Sequence, residues 1–178
     1  MSGFFMSKLQ NLKKNISDYK SAILAFSGGV DSTFLAKVAH GVLKNKLFIV
    51  TFRSPIYINE ELEFVEGFVK ENKIKHEFID IDVFNNEDFV NNTSKRCYYC
   101  KKNIYKKLKD IAKQKGYEQV IDGTNVDDLS DYRPGYEAIK ELGIKTPLVD
   151  AKFTKKDIRA ESKKMKLITH DKPSMACI

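Results

Sequence analysis

The chain predicts an α/β fold of three layers, with a doubly wound, mostly parallel sheet in the middle. Three observations carry that prediction. Short apolar runs at 22–26, 47–52 and 76–81 alternate with helical patterns at 32–43, 60–71 and 97–115, and parallel strands need such helical crossovers. A glycine turn, Ser27-Gly28-Gly29-Val30-Asp31-Ser32, joins the first run to the first of those helices. Polar segments follow the first, second and fourth runs, and open parallel sheets bind ligands beyond the carboxyl ends of their strands.

Taken in order, Phe4, Phe5, Leu9, Leu12 and Ile16 fall near helical spacing, so residues 1–20 read as a packing helix. The stretch lacks a long apolar core and a small-residue cleavage site, so it does not read as a signal peptide. The run 22–26 is the first buried strand, and 32–43 is the amphipathic helix after the glycine turn. The second strand, 47–52, ends in the polar residues Thr51 and Ser54. Helix 60–71 and strand 76–81 follow, then an Asn-rich stretch, 85–92, that reads as a surface connection. Helix 97–115 leads to a short strand at 119–121; helix 136–142, a weaker strand at 147–149 and helix 155–164 complete the set. No internal repeat, low-complexity tract or linker interrupts them, so 1–178 reads as one domain.

A 178-residue chain that is 42% hydrophobic can bury one substantial core. No run approaches the roughly 18 to 20 apolar residues of a membrane span. The net charge is +7, from 31 basic and 24 acidic residues, which suits an anionic ligand. The lysines are scattered through helices as solvated faces, and no aromatic-basic RNA-binding motif accompanies them, so nucleic acid is not the expected partner. Three cysteines are an odd number without a secretory signal, which argues against a disulfide framework and for a reducing cytoplasm.

The motif at 27–32 carries the most chemistry. Two glycines allow a sharp turn and close approach to a ligand. The first N–H groups of the following helix then converge on one spot, favourable for a pyrophosphate. Ser27 and Ser32 add hydroxyls, and Asp31 is placed to hold a divalent cation beside phosphates. The string is neither a Walker loop nor a dinucleotide G-x-G-x-x-G.

A second motif, Asp122-Gly123-Thr124-Asn125-Val126-Asp127-Asp128, precedes Asp131-Tyr132-Arg133-Pro134-Gly135. Gly123 permits close backbone approach, Thr124 and Asn125 have groups for a nucleotide, and Asp127 or Asp128 fits a Mg²⁺ site. The same residues also fit an Asx-rich turn that caps the next helix. The third motif, Arg96-Cys97-Tyr98-Tyr99-Cys100-Lys101-Lys102, opens a helix, where the helix start and the neighbouring cations favour a thiolate. With Cys177 these thiols fit three irons of a [4Fe–4S] cluster with the fourth iron open; a zinc site and no metal at all stand beside that reading.

SGGVDS matches the PP-loop of the ATP pyrophosphatases. From there through RCYYCK, DGTNVDD and DYRPG to KPSMAC, the chain resembles the ATP-dependent sacrificial sulfur transferases of the LarE family. The resemblance implies an adenine nucleotide alpha-hydrolase-like (PP-loop/HUP) domain that uses ATP and Mg²⁺. It implies adenylylation of a carboxylate of a pyridinium dicarboxylate mononucleotide, with pyrophosphate leaving, and then sulfur insertion to give a thiocarboxylate for a nickel-pincer cofactor. The sulfur comes from a cysteine at the position of Cys177 in one branch. In another it comes from a cluster on cysteines resembling Cys97, Cys100 and Cys177, and this chain resembles the cluster branch.

The nucleotide-binding set expected here is Ser27, Gly28, Gly29, Val30, Asp31, Ser32, Thr51, Ser54, Gly123, Thr124 and Arg133. Lys101 is expected to touch a phosphate or the acyl-adenylate, with a solvated helix lysine as the plain alternative; Asp31 and Asp128 are the magnesium candidates. Family members continue past KPSMAC into a substrate-binding and oligomerisation region, whereas this sequence stops at Ile178. Residues 171–178 thus read as the start of that region, with a homo-oligomer as one expected state and with ATP binding expected to outlast full turnover. Amide-forming synthetases, tRNA-thiolating enzymes and a non-catalytic ATP- or AMP-binding module are the competing readings.

Overall fold

The computed structural model describes residues 6–53, 59–81, 96–129 and 134–173. The first helix, α1 (Lys8–Ser17), starts at a capping box: the Gln10 amide donates to Ser7 Oγ at 3.2 Å, and the Ser7 amide donates to Gln10 Oε1 at 2.8 Å. Two of its orphan amino-terminal donors are thereby satisfied. Leu12 and Ile16, one turn apart, are fully buried and dock α1 beside α2 (Val30–Leu43).

The sheet has four strands: β1 (Ala22–Ala25), β2 (Leu47–Arg53), β3 (Lys75–Asp80) and β4 (Gln119–Ile121), in the order β3-β2-β1-β4. Every neighbouring pair is parallel, with Ala22 opposite both Leu47 and Gln119. Because side chains alternate across a strand, each strand feeds two cores. Leu24, Leu47, Ile49 and Ile121 pack with α1, α2, α3 (Asn59–Glu71) and α7 (Lys155–Lys164). Ile23, Phe48, Val50, Phe52 and Val120 pack with α4 (Arg96–Lys115) and α5 (Pro134–Glu141). Burying a Leu, Ile or Phe contributes about 1.5–3 kcal/mol each, so both faces are covered and the three-layer α/β prediction holds. The order reverses at β1, which has β2 on one side and β4 on the other; the crevice at its carboxyl end is the switch point where such sheets bind ligands.

One expected strand is a helix. Residues 147–149 lie in α6 (Pro147–Asp150). Proline presets the first helical turn and has no N–H for a ladder, and the Asp150 amide donates to the Thr146 carbonyl at 3.1 Å. The fifth position of the sheet is instead touched two residues earlier, where Lys145 forms a single parallel bridge to Ile121. Helices α2 and α5 each begin two residues earlier than expected. No helix among the described residues is long and apolar enough to cross a membrane. Phe4, Phe5, the Asn-rich stretch 85–92, Ser54, Arg133 and Cys177 lie outside the described residues.

Candidate functional site

The loop after β1 turns on Gly28, whose φ of 72° lies in the left-handed region. A Cβ there would also meet the Phe64 ring and Val65 of α3 at 3.2 Å, so both conformation and space require glycine. Gly29 caps α2 without a side chain, which leaves the first N–H groups of that helix for a ligand. The two serines tie the turn together: Ser27 Oγ and Ser32 Oγ are 3.1 Å apart, and Ser27 Oγ also accepts from the Gly29 amide at 3.3 Å. Val30 points into the core, so its part in the site is its backbone.

Asp31, in the first turn of α2, is paired through Oδ2 with Lys155 from the start of α7. Its Oδ1 is buried, as is Nδ2 of Asn125, and the Asn125 side-chain amide acts on this carboxylate as a hydrogen-bond donor. Burial pushes the Asp31 carboxyl up; the Lys155 bond and charge oppose that, Asp128 adds to it, and the nearby Asn125 amide tempers it. A desolvated carboxylate in the first turn of an uncapped helix start fits a divalent cation beside phosphates.

The loop after β4 lies directly on this turn. A Cβ on Gly123 would come within 3.1 Å of the Ser32 amide nitrogen, so a side chain there would push the two touching loops apart by a few tenths of an ångström. Asp122 is a buried carboxylate that accepts from the Tyr105 hydroxyl through Oδ2, and from the Thr124 amide (2.7 Å) and hydroxyl through Oδ1. Burial alone would push its pKa up, but the Lys101 charge and the bonds from Thr124 and Tyr105 hold it below the usual value. Thr124 is therefore turned inward. Asn125 Oδ1 accepts from the Asp127 amide at 2.9 Å, Asp128 Oδ2 from the Asn125 amide at 3.1 Å, and Asp127 Oδ2 from the Lys155 amide at 2.7 Å. The Asx-rich turn is thus present: Asn125 and Asp128 cap the short 3-10 helix Val126–Leu129 that follows it, and Asp127 caps the start of α7 as well.

Thr51 sits on β2 beside the crevice, its Oγ1 3.0 Å from Nε2 of His76. Lys101 reaches the same edge from α4: its charge acts on Asp122, and its stem packs on Gly135, where a Cβ would lie 2.8 Å from Cδ. Cys97 (exposed) and Cys100 (half-buried) share the start of α4. Three residues apart on a helix they stand on one face, which fits two of a cluster's three thiolates. Among the described residues no group of three His, Cys, Asp or Glu is placed to hold a metal, and Cys177 is not one of those residues.

The sequence reading did not single out Lys155, Lys172, Tyr105 or Asp122 as acting at the site. For Lys155 a signal existed. Thr154 and Asp157 form a capping box, which marks Lys155 as the first residue of a helix that starts at this edge.

The family described as queuosine biosynthesis protein QueC matches residues 21–98. An uncharacterized protein of Synechocystis is 40% identical over 172 residues, 97% of this chain and 64% of that protein. The pyridinium-3,5-bisthiocarboxylic acid mononucleotide synthase of Lactiplantibacillus plantarum is 33% identical over 167 residues, 93% of this chain and 60% of that enzyme. The U34-tRNA thiolase NcsA of Methanococcus maripaludis, solved with its [4Fe–4S] cluster, shares the fold with a TM-score of 0.71 at 18% identity, over 96% of this chain and 67% of that one. The chain spans about three fifths of the length of the curated relatives it matches. Similarity to the synthase runs along 93% of the chain rather than stopping at the loop, so the resemblance to the LarE-type sulfur transferases of the PP-loop ATP pyrophosphatases that the motifs carry extends over nearly the whole fold.

Proposed function

We propose that this chain binds ATP in the 27–32 loop and adenylylates a carboxylate of a pyridinium dicarboxylate mononucleotide, which then receives sulfur as a thiocarboxylate on the way to a nickel-pincer cofactor. The observation that carries this reading is the glycine-capped start of α2 at the switch point, with the buried Asp31 carboxylate in its first turn. The carboxylate oxygen attacks the α-phosphorus and pyrophosphate leaves; the acyl-adenylate then exchanges AMP for sulfur. Helix-start N–H groups stabilise the charge growing on the pyrophosphate. A magnesium ion held by Asp31, with Asp128 near, would neutralise phosphate charge. Lys101 is assigned the phosphate or acyl-adenylate contact, and Gly123 and Thr124 the second wall of the nucleotide pocket.

Cys97, Cys100 and Cys177 are assigned to a [4Fe–4S] cluster, which would supply sulfide from its open iron. If Cys177 donates its own sulfur instead, the chain is left with dehydroalanine, a product that mass spectrometry detects directly. The reading is tested by calorimetry with Mg·ATP and by pyrophosphate release with the mononucleotide. Asp31→Ala should weaken ATP at least tenfold, about 1.4 kcal/mol. Unchanged affinity in that variant would remove the assignment. Anaerobic reconstitution should yield iron and acid-labile sulfide, lost when all three cysteines are replaced by Ala.

A further inference from the structure

Two side chains hold the main chain around residues 170–172: Arg159 ties it to α7, and Lys172 ties it to the nucleotide loop. Arg159, on α7, gives its guanidinium to backbone: Nη1 donates to the His170 carbonyl at 2.6 Å and Nη2 to the Lys172 carbonyl at 2.8 Å. Both bonds are short and charge-assisted, so they fix two points of this stretch. Lys172 then reaches back to the cradle. Its Nζ is 3.4 Å from the Gly28 carbonyl, 3.7 Å from Glu61 Oε1 and 5.5 Å from the centre of the Phe64 ring.

Each of the Lys172 contacts is a loose one. The bond to Gly28 is at the outer limit of hydrogen-bond length, and the ion pair is well beyond the ~2.7–2.9 Å of a charge-assisted bond. Yet the ammonium is mostly covered, with the side chain 25% exposed, and so is its acidic neighbour at 17%. A partly desolvated cation that touches the turn of an anion cradle without a close partner gains most when the cradle fills, because electrostatic attraction strengthens as water is excluded.

We propose that Lys172 and Arg159 are positioning residues that pin the chain at 170–172 to the nucleotide loop, and that a polyphosphate in that loop tightens the pin through Lys172. The inference rests on the reading that the 27–32 loop binds ATP. Linkage requires reciprocity: whatever factor nucleotide adds to the pin, the pin returns to nucleotide affinity.

The test is amide hydrogen exchange of the peptide covering 165–173, with and without a non-hydrolysable ATP analogue and Mg²⁺, beside calorimetry of the same samples. The parent chain should bind the analogue and slow exchange in that peptide at least threefold. Lys172→Met, which keeps the apolar stem, should lose the slowing and no more than a comparable factor of affinity. Lys172→Arg should retain it, and Arg159→Met should speed exchange even without nucleotide. Equal slowing in the parent and Lys172→Met, or a parent that binds the analogue without slowing, would overturn the pin and leave the ATP reading standing. A parent that binds no nucleotide would overturn both.

Discussion

The loop after β1 and the loop after β4 touch at one edge of the sheet, but they are built in contrasting ways. The first is shaped by glycine and capped by none of its side chains, so helix-start donors stay available. The second uses its side-chain oxygens on backbone donors. Asp122, Asn125, Asp127 and Asp128 each accept a backbone N–H in or beside that loop. One loop is a receptor for an anion, and the other is the stiff wall against which the receptor is held, with Gly123 on Ser32. Sequence motifs rich in Gly and Asx look alike as strings; which groups remain unbonded tells them apart.

The sharpest way to break the contrast is to attack the wall. Asp122→Ala leaves the Tyr105 hydroxyl and both Thr124 donors without their acceptor in a buried site. Each orphaned donor costs about 1–3 kcal/mol before relaxation, so the folded state should lose about 3 kcal/mol, read from urea unfolding. Tyr105→Phe removes one bond and should cost about 1 kcal/mol. A loss below that in Asp122→Ala would mean that the second loop is not the scaffold.

Breaking the receptor should look different. Gly28→Val forces a β-branched residue to a φ of 72° and into the Phe64 ring, a cost of about 2 kcal/mol in stability. Its larger signature is functional: Mg·ATP affinity should fall more than tenfold by calorimetry, because the helix-start donors lose their alignment. An affinity equal to the parent's would show that the nucleotide does not use this turn.

What was legible in the sequence follows from how locally each feature is encoded. The strands were legible because Ile23 and Leu24, or Phe48 and Ile49, are apolar on both faces and bounded by polar residues. Residues 147–149 misled because three apolar residues carry no period, and the decisive residue was Pro147 at a helix start. The glycine and Asx loops were legible because turn chemistry is local. The Lys155–Asp31 pair was not, since it joins residues 124 apart in sequence, and a lysine in a lysine-rich helix does not announce which face it serves. Lys172 was hidden for the same reason.

Besides that of Asp122 in the wall, a second pH response lies near the start of the edge strand β3. Burial holds His76 at about 4, against 6.5 for an unperturbed histidine, with Glu77 opposing slightly. As pH falls from 6.5 towards 4, the unfolded chain takes up a proton that the folded chain refuses, so stability is lost across that window. After discounting for the partial exposure of the ring, the loss is about 1–2 kcal/mol. Urea midpoints at several pH values should show a shallower decline in His76→Gln than in the parent. Equal declines would assign the acid limb to carboxylates alone.

The smallest effect separates the two aspartates of the second loop. Asp127 Oδ2 accepts the Lys155 amide, so Asp127→Ala removes a cap from the first turn of α7 and should cost about 1 kcal/mol. Because Asp127 is assigned no part in nucleotide binding, ATP affinity should change less than twofold. Asp128→Ala also loses a backbone bond, from Asn125, and should cost a similar amount of stability. Asp128 additionally acts on the Asp31 carboxyl through its charge, and a shared magnesium ion would make that proximity favourable instead of costly. If the ion is shared, Asp128→Ala weakens Mg·ATP several-fold while leaving metal-free ATP unaffected, whereas Asp127→Ala moves neither. Two variants with matching stability loss and matching magnesium dependence would reduce both aspartates to caps and leave Asp31 as the metal's carboxylate in the first loop.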